Sequence, residues 1–504
     1  MRRIAGPPVT HELVIFYEVF YGSLTKREAS VSSRRSLLHS LHLTRTAVIL
    51  LVVVTTGSVL RILSVLETKV DHPIRGDSID YFFYAYNLRH SGVYSRSTES
   101  YSHWNAAVPP DAFRSPGYPL FLTVFINGDP LYVFKGGEPN NDILVRITLS
   151  QAIISTVTLF GVFYVSRGFL PDALALGATA LAALSPHLIV MNSYVLTETL
   201  FCALVVLLAY LLKLCHRGMA LGLSGLIGIV LAAASLVRPT LEYFLLPLGV
   251  FILFSTGIRK GMRMVGMIVL GFSLLYGPWI ARNLHTLGAA GDKGLMIGTL
   301  LHGMYPDFMY EDNPNTYGSP YRFDPHFAEF NRSLKTAVSE ILRRFSMEPV
   351  AHLNWYLIGK PATFWSWNEV QGAGDAFVFP VEQTPYWDSP LFWATHGLMK
   401  FIHWPLVLFG AVGFVLAWVP KTRCRIEDQA LFVLQAMALL LGYFTVLHMV
   451  GTPLPRYATP IRPVLFGVAM LPFSLWLRAK GLIHTRSLQA RSISSKPKRR
   501  SRRS

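Results

Sequence analysis

Two acidic residues open an aromatic stretch just past the first long apolar run, Arg75-Gly-Asp-Ser-Ile-Asp-Tyr-Phe-Phe-Tyr-Ala-Tyr-Asn-Leu88. A protein that packs against lipid has no packing need for carboxylates there. Asp77 and Asp80 are therefore candidates for chemistry at the membrane surface. A carboxylate so placed can take a proton from an attacking hydroxyl as general base, with Asp77 the primary candidate and Asp80 a supporting acid. The same residues also read as a helix N-terminus, with Asp77 as cap and Asp80 favoured by the helix dipole. The two roles are compatible, because a capping carboxylate stays ionised at neutral pH. Glu198, in Tyr194-Val-Leu-Thr-Glu-Thr-Leu-Phe201, is a second supporting acid. Ionisable groups near the end of a span usually face a polar cavity; a first-turn capping role is the alternative. If Glu198 faces Asp77, the pair could share a divalent metal ion, which prefers oxygen ligands.

Three arginines complete the set: Arg114 in Phe113-Arg-Ser-Pro-Gly-Tyr-Pro119, Arg282 in Pro278-Trp-Ile-Ala-Arg-Asn283, and Arg456 in Pro455-Arg-Tyr457. Converging guanidinium groups can hold a phosphate through forked hydrogen bonds. Taken singly, each is an interface anchor with its stem in lipid. Arg238, at the end of another apolar run, is a further candidate. His302, His403 and His448 read as packing residues.

The elements that must carry these groups are membrane helices. Of the 504 residues 52% are hydrophobic and only 15% charged, too little polar surface for a soluble protein of this size. A hydrocarbon core requires roughly 20 apolar residues per helix. Ten spans are predicted, at about 46–66, 143–165, 172–191, 195–215, 218–236, 240–256, 262–280, 396–419, 427–449 and 460–478. The fold class is thus an all-α polytopic membrane protein with two long outer-face loops, about 67–142 and 281–395. Lys and Arg collect in residues 1–45, in alternate short connections (Arg167; Lys213; Arg259, Lys260 and Arg263; Lys421) and in the tail 479–504. The positive-inside rule then puts both termini in the cytoplasm and the candidate site on the outer face. The first apolar run is an uncleaved signal-anchor. A net charge of +17 is explained by these segments facing anionic headgroups, not by a nucleic-acid partner. Only Cys202, Cys215 and Cys424 occur, none in an outer loop, so no external disulfide framework is expected.

Within the first loop a helix is predicted from about Ser78 to His90, with Pro116 to Phe125 as an interfacial or re-entrant piece. The second loop predicts an amphipathic helix from Phe327 to Phe345, with Phe327, Phe330, Leu334, Val338, Ile341 and Phe345 on one face. Pro349 and Pro361 bracket a shorter helix. Trp355, Trp365 and Trp367 suit the membrane interface, and the loop reads as a lid. Gly222, Gly225 and Gly228 lie inside a span, where close helix packing is expected.

Together these pieces resemble the GT-C superfamily of integral-membrane glycosyltransferases. The likeness is to bacterial enzymes similar to protein O-mannosyltransferases, lipid A aminoarabinose transferases and lipopolysaccharide-core transferases. The matching segments are Asp77-x-x-x-Tyr81-x-x-x-Ala85-x-Asn87-Leu88, Gly92-Val-Tyr94, Arg114-Ser-Pro-Gly-Tyr-Pro119, Leu196-Thr-Glu-Thr-Leu-Phe201, Leu236-Val-Arg-Pro239, Pro278-Trp-Ile-Ala-Arg-Asn283 and Arg456-Tyr-Ala-Thr-Pro460. The resemblance covers 46–478. It implies an inverting transfer of a sugar from a polyprenyl-phosphate donor to a lipid, glycan or protein acceptor outside the cytoplasmic (inner) membrane. Asp77 matches the superfamily's first-loop aspartate and Glu198 a second acid. Relatives often carry an acid directly after that aspartate, where this chain has Ser78. A lipid or solute transporter and a non-catalytic assembly subunit are the rival readings.

Overall fold

The computed structural model describes residues 44–103, 106–135, 138–215, 221–423 and 426–482. Most of the predicted basic arm, Cys424 and the basic tail lie outside these. The protein is all-α and polytopic. The first span, α1, covers Thr44–Glu67. After it the aromatic helix α2 runs Asp77–His90 and starts from Gly76, whose φ of 55° lies in the left-handed region that glycine tolerates. No side chain caps α2. Asp77 is its first residue and not its cap, which corrects the capping expectation and leaves the carboxylate free for other partners. The short helix α3, Gly117–Leu122, is too short to span. A Cβ on Gly117 would stand 2.7 Å from main-chain atoms of Leu236 and Val237. The Pro-Gly-Tyr-Pro turn therefore rests backbone to backbone on a span end, where only glycine fits.

The first membrane group follows: α4 (Asn141–Ser166), the pair α5 (Asp172–Leu184) and α6 (Pro186–Ser193) bent by 55°, then α7 (Glu198–Cys215), α8 (Leu221–Val237), α9 (Pro239–Thr256) and α10 (Ile258–Leu287). The α5–α6 break is held by Arg61 of α1, which is 1% exposed. Its Nε donates to Ser155 Oγ at 2.8 Å, and its Nη atoms to the carbonyls of Gly57, Ala182 and Ala183 at 2.9–3.0 Å. The last carbonyls of a helix lack partners within it and carry the negative end of its dipole. A buried guanidinium saturated by such carbonyls is a structural cap. α8 and α10 touch backbone to backbone: a Cβ on Gly228 would meet Ile268 O at 2.0 Å, and one on Gly271 would meet Gly225 O at 2.1 Å. The glycine-rich segment packs helix on helix, as its sequence predicts.

In the second loop the helix expected over 327–345 is two, Phe327–Phe330 and α11, Leu334–Met347. Ser333 breaks it by forming a capping box with Thr336. The next helical stretch runs from Pro349 to Phe364 through a π turn, Trp355–Gly359, with Pro361 inside it and not at its edge. The indoles are inward staples and not interface anchors. Trp355 donates to Gly303 O at 3.0 Å, Trp365 to Thr445 Oγ1 at 3.2 Å, and Trp367 to Asp375. Val338, Leu342, Met347, Val350 and Leu357 are exposed instead. The two outer loops join where Lys69–Val70 pairs antiparallel with Val381–Gln383.

The last spans are α12 (Pro390–Trp418), α13 (Asp428–Val450) and α14 (Pro455–Ala479). Buried Lys360 donates to Gly451 O at 2.9 Å, beyond the end of α13. Eight described helices are long and apolar enough to cross a membrane, nine if α5 and α6 count as one span. The prediction of ten differs because α8 falls below spanning length and α5–α6 is broken. Each of the ten predicted positions nonetheless holds helix among its described residues.

Candidate active site

Asp77 lies between two guanidinium groups that the sequence supplies from opposite ends of the chain. Its Oδ1 accepts from Arg114 Nη2 at 2.8 Å and its Oδ2 from Arg456 Nη2 at 2.6 Å. Arg114 also reaches Asp80, one helical turn on, from Nε at 2.9 Å. One fork thus bridges both carboxylates of α2, which share a face at i, i+3. Burial works against ionising Asp77, but the charges of Arg456 and Arg114 outweigh it and hold the carboxyl well below the usual carboxylate range. It is an anion at any working pH.

Arg114 is fixed by its surroundings. Its main-chain N–H donates to the Tyr84 hydroxyl at 3.3 Å, and its carbonyl accepts from the Tyr94 hydroxyl at 3.1 Å. Tyr84 in turn donates to Asp111, which also accepts from the main chain of Arg96 (2.9 Å) and Phe113 (3.1 Å). Asn87 holds the same loop by donating to the carbonyls of Ser95 and Ser97 at 2.8 and 2.9 Å.

Arg282 is not brought to Asp77. Its Nη1 donates to Asp111 O at 2.8 Å and its Nη2 to Tyr94 O at 3.2 Å. It therefore ties the end of α10 to the loop that holds Arg114. Glu198, 3% exposed, pairs with Arg238 at 3.0 Å, and Arg238 lies over the Tyr457 ring at 4.3 Å. Since Tyr457 follows Arg456, the two ion pairs are neighbours, but each carboxylate has its own cation. Among the described residues no three His, Cys, Asp or Glu side chains come together to hold a metal ion. The shared-metal option does not fit this arrangement. His302, His403 and His448 bond to main-chain carbonyls, as packing residues do.

Sequence reasoning missed four members of the site: Asp111, Arg462, His187 and Glu369. Asp111 is the knot of the first loop. Arg462 donates to His187 Nδ1 at 2.7 Å and to Ser366 O at 3.1 Å. His187 Nε2 bonds Trp367 O at 2.8 Å; since that nitrogen must donate to a carbonyl, Nδ1 is the acceptor for Arg462. This clamp presents Glu369, whose Oε2 accepts the Arg456 main-chain N–H at 3.1 Å. Burial pushes the Glu369 carboxyl up to about 7 against the pull of Arg456 and Arg462. The available signal was a lone acid in the aromatic run Trp365-Ser-Trp-Asn-Glu369.

Comparison with known proteins finds likeness only at the level of structure. No family model and no curated protein matches the chain. The oligosaccharyltransferase of Archaeoglobus fulgidus, solved with a tethered acceptor peptide containing the NVT sequon, matches at 12% identity over 87% of this chain and 51% of its own, with a TM-score of 0.48. The Pmt1–Pmt2 protein O-mannosyltransferase complex of S. cerevisiae, bound to the sugar donor, matches at 10% identity over 54% and 38%, TM-score 0.36. ArnT of Cupriavidus metallidurans, bound to undecaprenyl phosphate, matches at 13% identity over 84% and 77%, TM-score 0.34. The chain spans about half the length of the archaeal structures it matches.

Proposed function

We propose that the protein is an integral-membrane glycosyltransferase that moves a sugar from a polyprenyl-phosphate donor to an acceptor on the outer face of the cytoplasmic membrane. The observation that carries this reading is the half-buried Asp77 carboxylate held between Arg114 and Arg456, where both outer loops meet the span ends. Only one Nη of Arg456 reaches Asp77, so donors on both forks remain for a phosphate. With Arg96 within 4.0 Å of Asp80, three arginines face two aspartates, and the excess positive charge favours an anionic headgroup.

In the reaction the acceptor oxygen attacks the anomeric carbon of the sugar and the bond from that carbon to the phosphate oxygen breaks. Attack from the opposite side inverts the centre. The acceptor proton passes to Asp77, and the negative charge gathering on the departing lipid phosphate is met by Arg456 and Arg114. Arg282 and Asp111 hold the Arg114 loop, and Glu198 with Arg238 supports Arg456 through Tyr457. A lipid-borne donor needs no nucleotide, in keeping with a sequence that carries no nucleotide-cradling glycine loop.

The test is mass spectrometry of lipid-linked sugars and envelope glycans from cells lacking the protein, restored with wild type or Asp77→Asn. Loss of one sugar from an acceptor and build-up of its lipid carrier in the Asp77→Asn cells is the expected result. Movement of lipid across reconstituted vesicles that survives Asp77→Asn would instead make the protein a transporter.

A further inference from the structure

Beside the base lies a second carboxylate that this reaction does not use. Glu369 is 7% exposed and sits within the fields of Arg456, Arg462 and Glu198. Its segment is held rigidly. Ser366 O and Trp367 O are bonded by Arg462 and His187, and the Glu369 main-chain N–H donates to Asp375 O at 2.9 Å. Asp375 is in turn held by His396 at 2.9 Å and Lys400 at 3.0 Å. Only one oxygen of Glu369 is used: Oε2 takes the Arg456 main-chain N–H. Its Oε1 is buried without a hydrogen-bond partner among the described residues, and so is Nε of Arg456. A buried acceptor and a buried donor, both unpaired, on two residues already in contact are complementary. Leaving such groups unmade costs free energy, so each is explained by a partner taken in another state.

We propose that Glu369 is the positioning residue for Arg456: it fixes the Arg456 main chain and offers the guanidinium a second carboxylate to which it passes when Asp77 releases it. This rests on the reading of Asp77 as the base. While Arg456 is on Asp77, that carboxylate is anionic but a weak proton acceptor, because two cations stabilise its charge. Transfer of Arg456 to Glu369 removes one of them. Asp77 then binds the acceptor's proton more tightly, at the step where it must. The charged groups whose fields reach Glu369 are Arg456 and Arg462 from α14 and Glu198 from α7. Two of these are cations that favour its ionised form, Glu198 opposes it, and burial sets the balance near neutrality. The exchange therefore grows as pH rises through neutrality.

The experiment is labelling of the purified full-length protein in nanodiscs with dicyclohexylcarbodiimide, which reacts with protonated buried carboxyls, read by peptide mass spectrometry across pH. In the wild type Glu369 is labelled with a midpoint near neutral pH, and Asp77 is not labelled. In Asp77→Asn, Arg456 is free to take Glu369, so Glu369 labelling at pH 7 falls by about fivefold, the drop that a one-unit fall in its midpoint produces. In Asp77→Glu the midpoint stays where it was. Asp77→Ser frees Arg456 in the same way and keeps the test decisive if Asp77→Asn does not fold. A Glu369 midpoint unmoved when Asp77 is replaced by Asn or Ser overturns the proposal, as does a midpoint in the ordinary carboxylate range. No substrate enters the measurement, so its failure is distinct from failure to find sugar transfer.

Discussion

At the scale of the residue, the site is two carboxylates whose surroundings push their proton affinities apart. Asp77 has a depressed value in the folded chain, so its ion pairs stabilise the fold above the usual carboxylate range. They are lost only as pH falls through the lowered value, well below working conditions. Glu369 is the reverse case, ordinarily 4.5 and raised to about 7. Its contribution to stability is full below the ordinary value and is lost as pH rises through the raised one. Wild type should therefore lose thermal stability relative to Glu369→Gln between mildly acid and mildly alkaline pH, by up to about 3 kcal/mol at 1.36 kcal/mol per unit. Differential scanning fluorimetry across pH checks this, and parallel melting curves would show that Glu369 is an ordinary carboxylate. For catalysis, Asp77→Asn should lower sugar transfer by about 10²–10⁴-fold, the usual share of a general base, while the protein still folds and binds polyprenyl phosphate. Arg114→Lys should also impair turnover, because a single ammonium cannot bridge Asp77 and Asp80 as the forked guanidinium does. Turnover and lipid-binding assays on the two variants distinguish loss of the base from loss of its support.

At the scale of the element, Arg61 and the glycine crossing each rest on one local fact. Arg61→Met removes the cap on the Ala182 and Ala183 carbonyls inside the bilayer, where no water replaces it. It should cost roughly 3 kcal/mol or more, read as a lower melting temperature and reduced yield of folded protein. Gly228→Leu drives a side chain into the Ile268 carbonyl and should destabilise by about 1–3 kcal/mol, whereas Gly222→Ala, where a Cβ meets nothing within 4 Å, should be silent. What was legible beforehand follows the same division. Apolar length located every span, and the Asp77, Arg114, Glu198, Arg238 and Arg456 segments stood out because polar residues at span ends break an apolar pattern. Arg61 was hidden inside an otherwise apolar run, since sequence cannot show which carbonyls a lone arginine will meet. Glu369 was hidden because its environment is made by His187, Arg456 and Arg462, all far away in the chain. The helix over 327–345 was misjudged because Ser333 and Thr336 cap each other, a choice that hydrophobic periodicity does not register.

At the scale of the whole molecule, the order of the helix ends argues for one orientation. Asp77 and Asp80 follow α1; Glu198 begins α7; Arg238 follows α8; Arg282 lies near the end of α10; Arg456 lies at the start of α14. The opposite ends carry Arg167, Lys213 and the Arg259, Lys260, Arg263 cluster. The two sets alternate along the chain without exception through this region, as they must if the candidate site occupies one membrane face and the positive-inside charges the other. The alternation requires the broken α5–α6 pair and the short α8 each to count as one crossing, because removing the first would place Glu198, and removing the second Arg238, on the side opposite Asp77. Single cysteines in a background lacking Cys202, Cys215 and Cys424 test this directly. Asp312→Cys, exposed in the second loop, should react with a membrane-impermeant maleimide on intact cells. Arg259→Cys, exposed in the first turn of α10, should react only after the membrane is opened. The reverse pattern would put Asp77 in the cytoplasm, and transfer at the outer face would then have to be abandoned, whatever the geometry of the carboxylate and its two arginines.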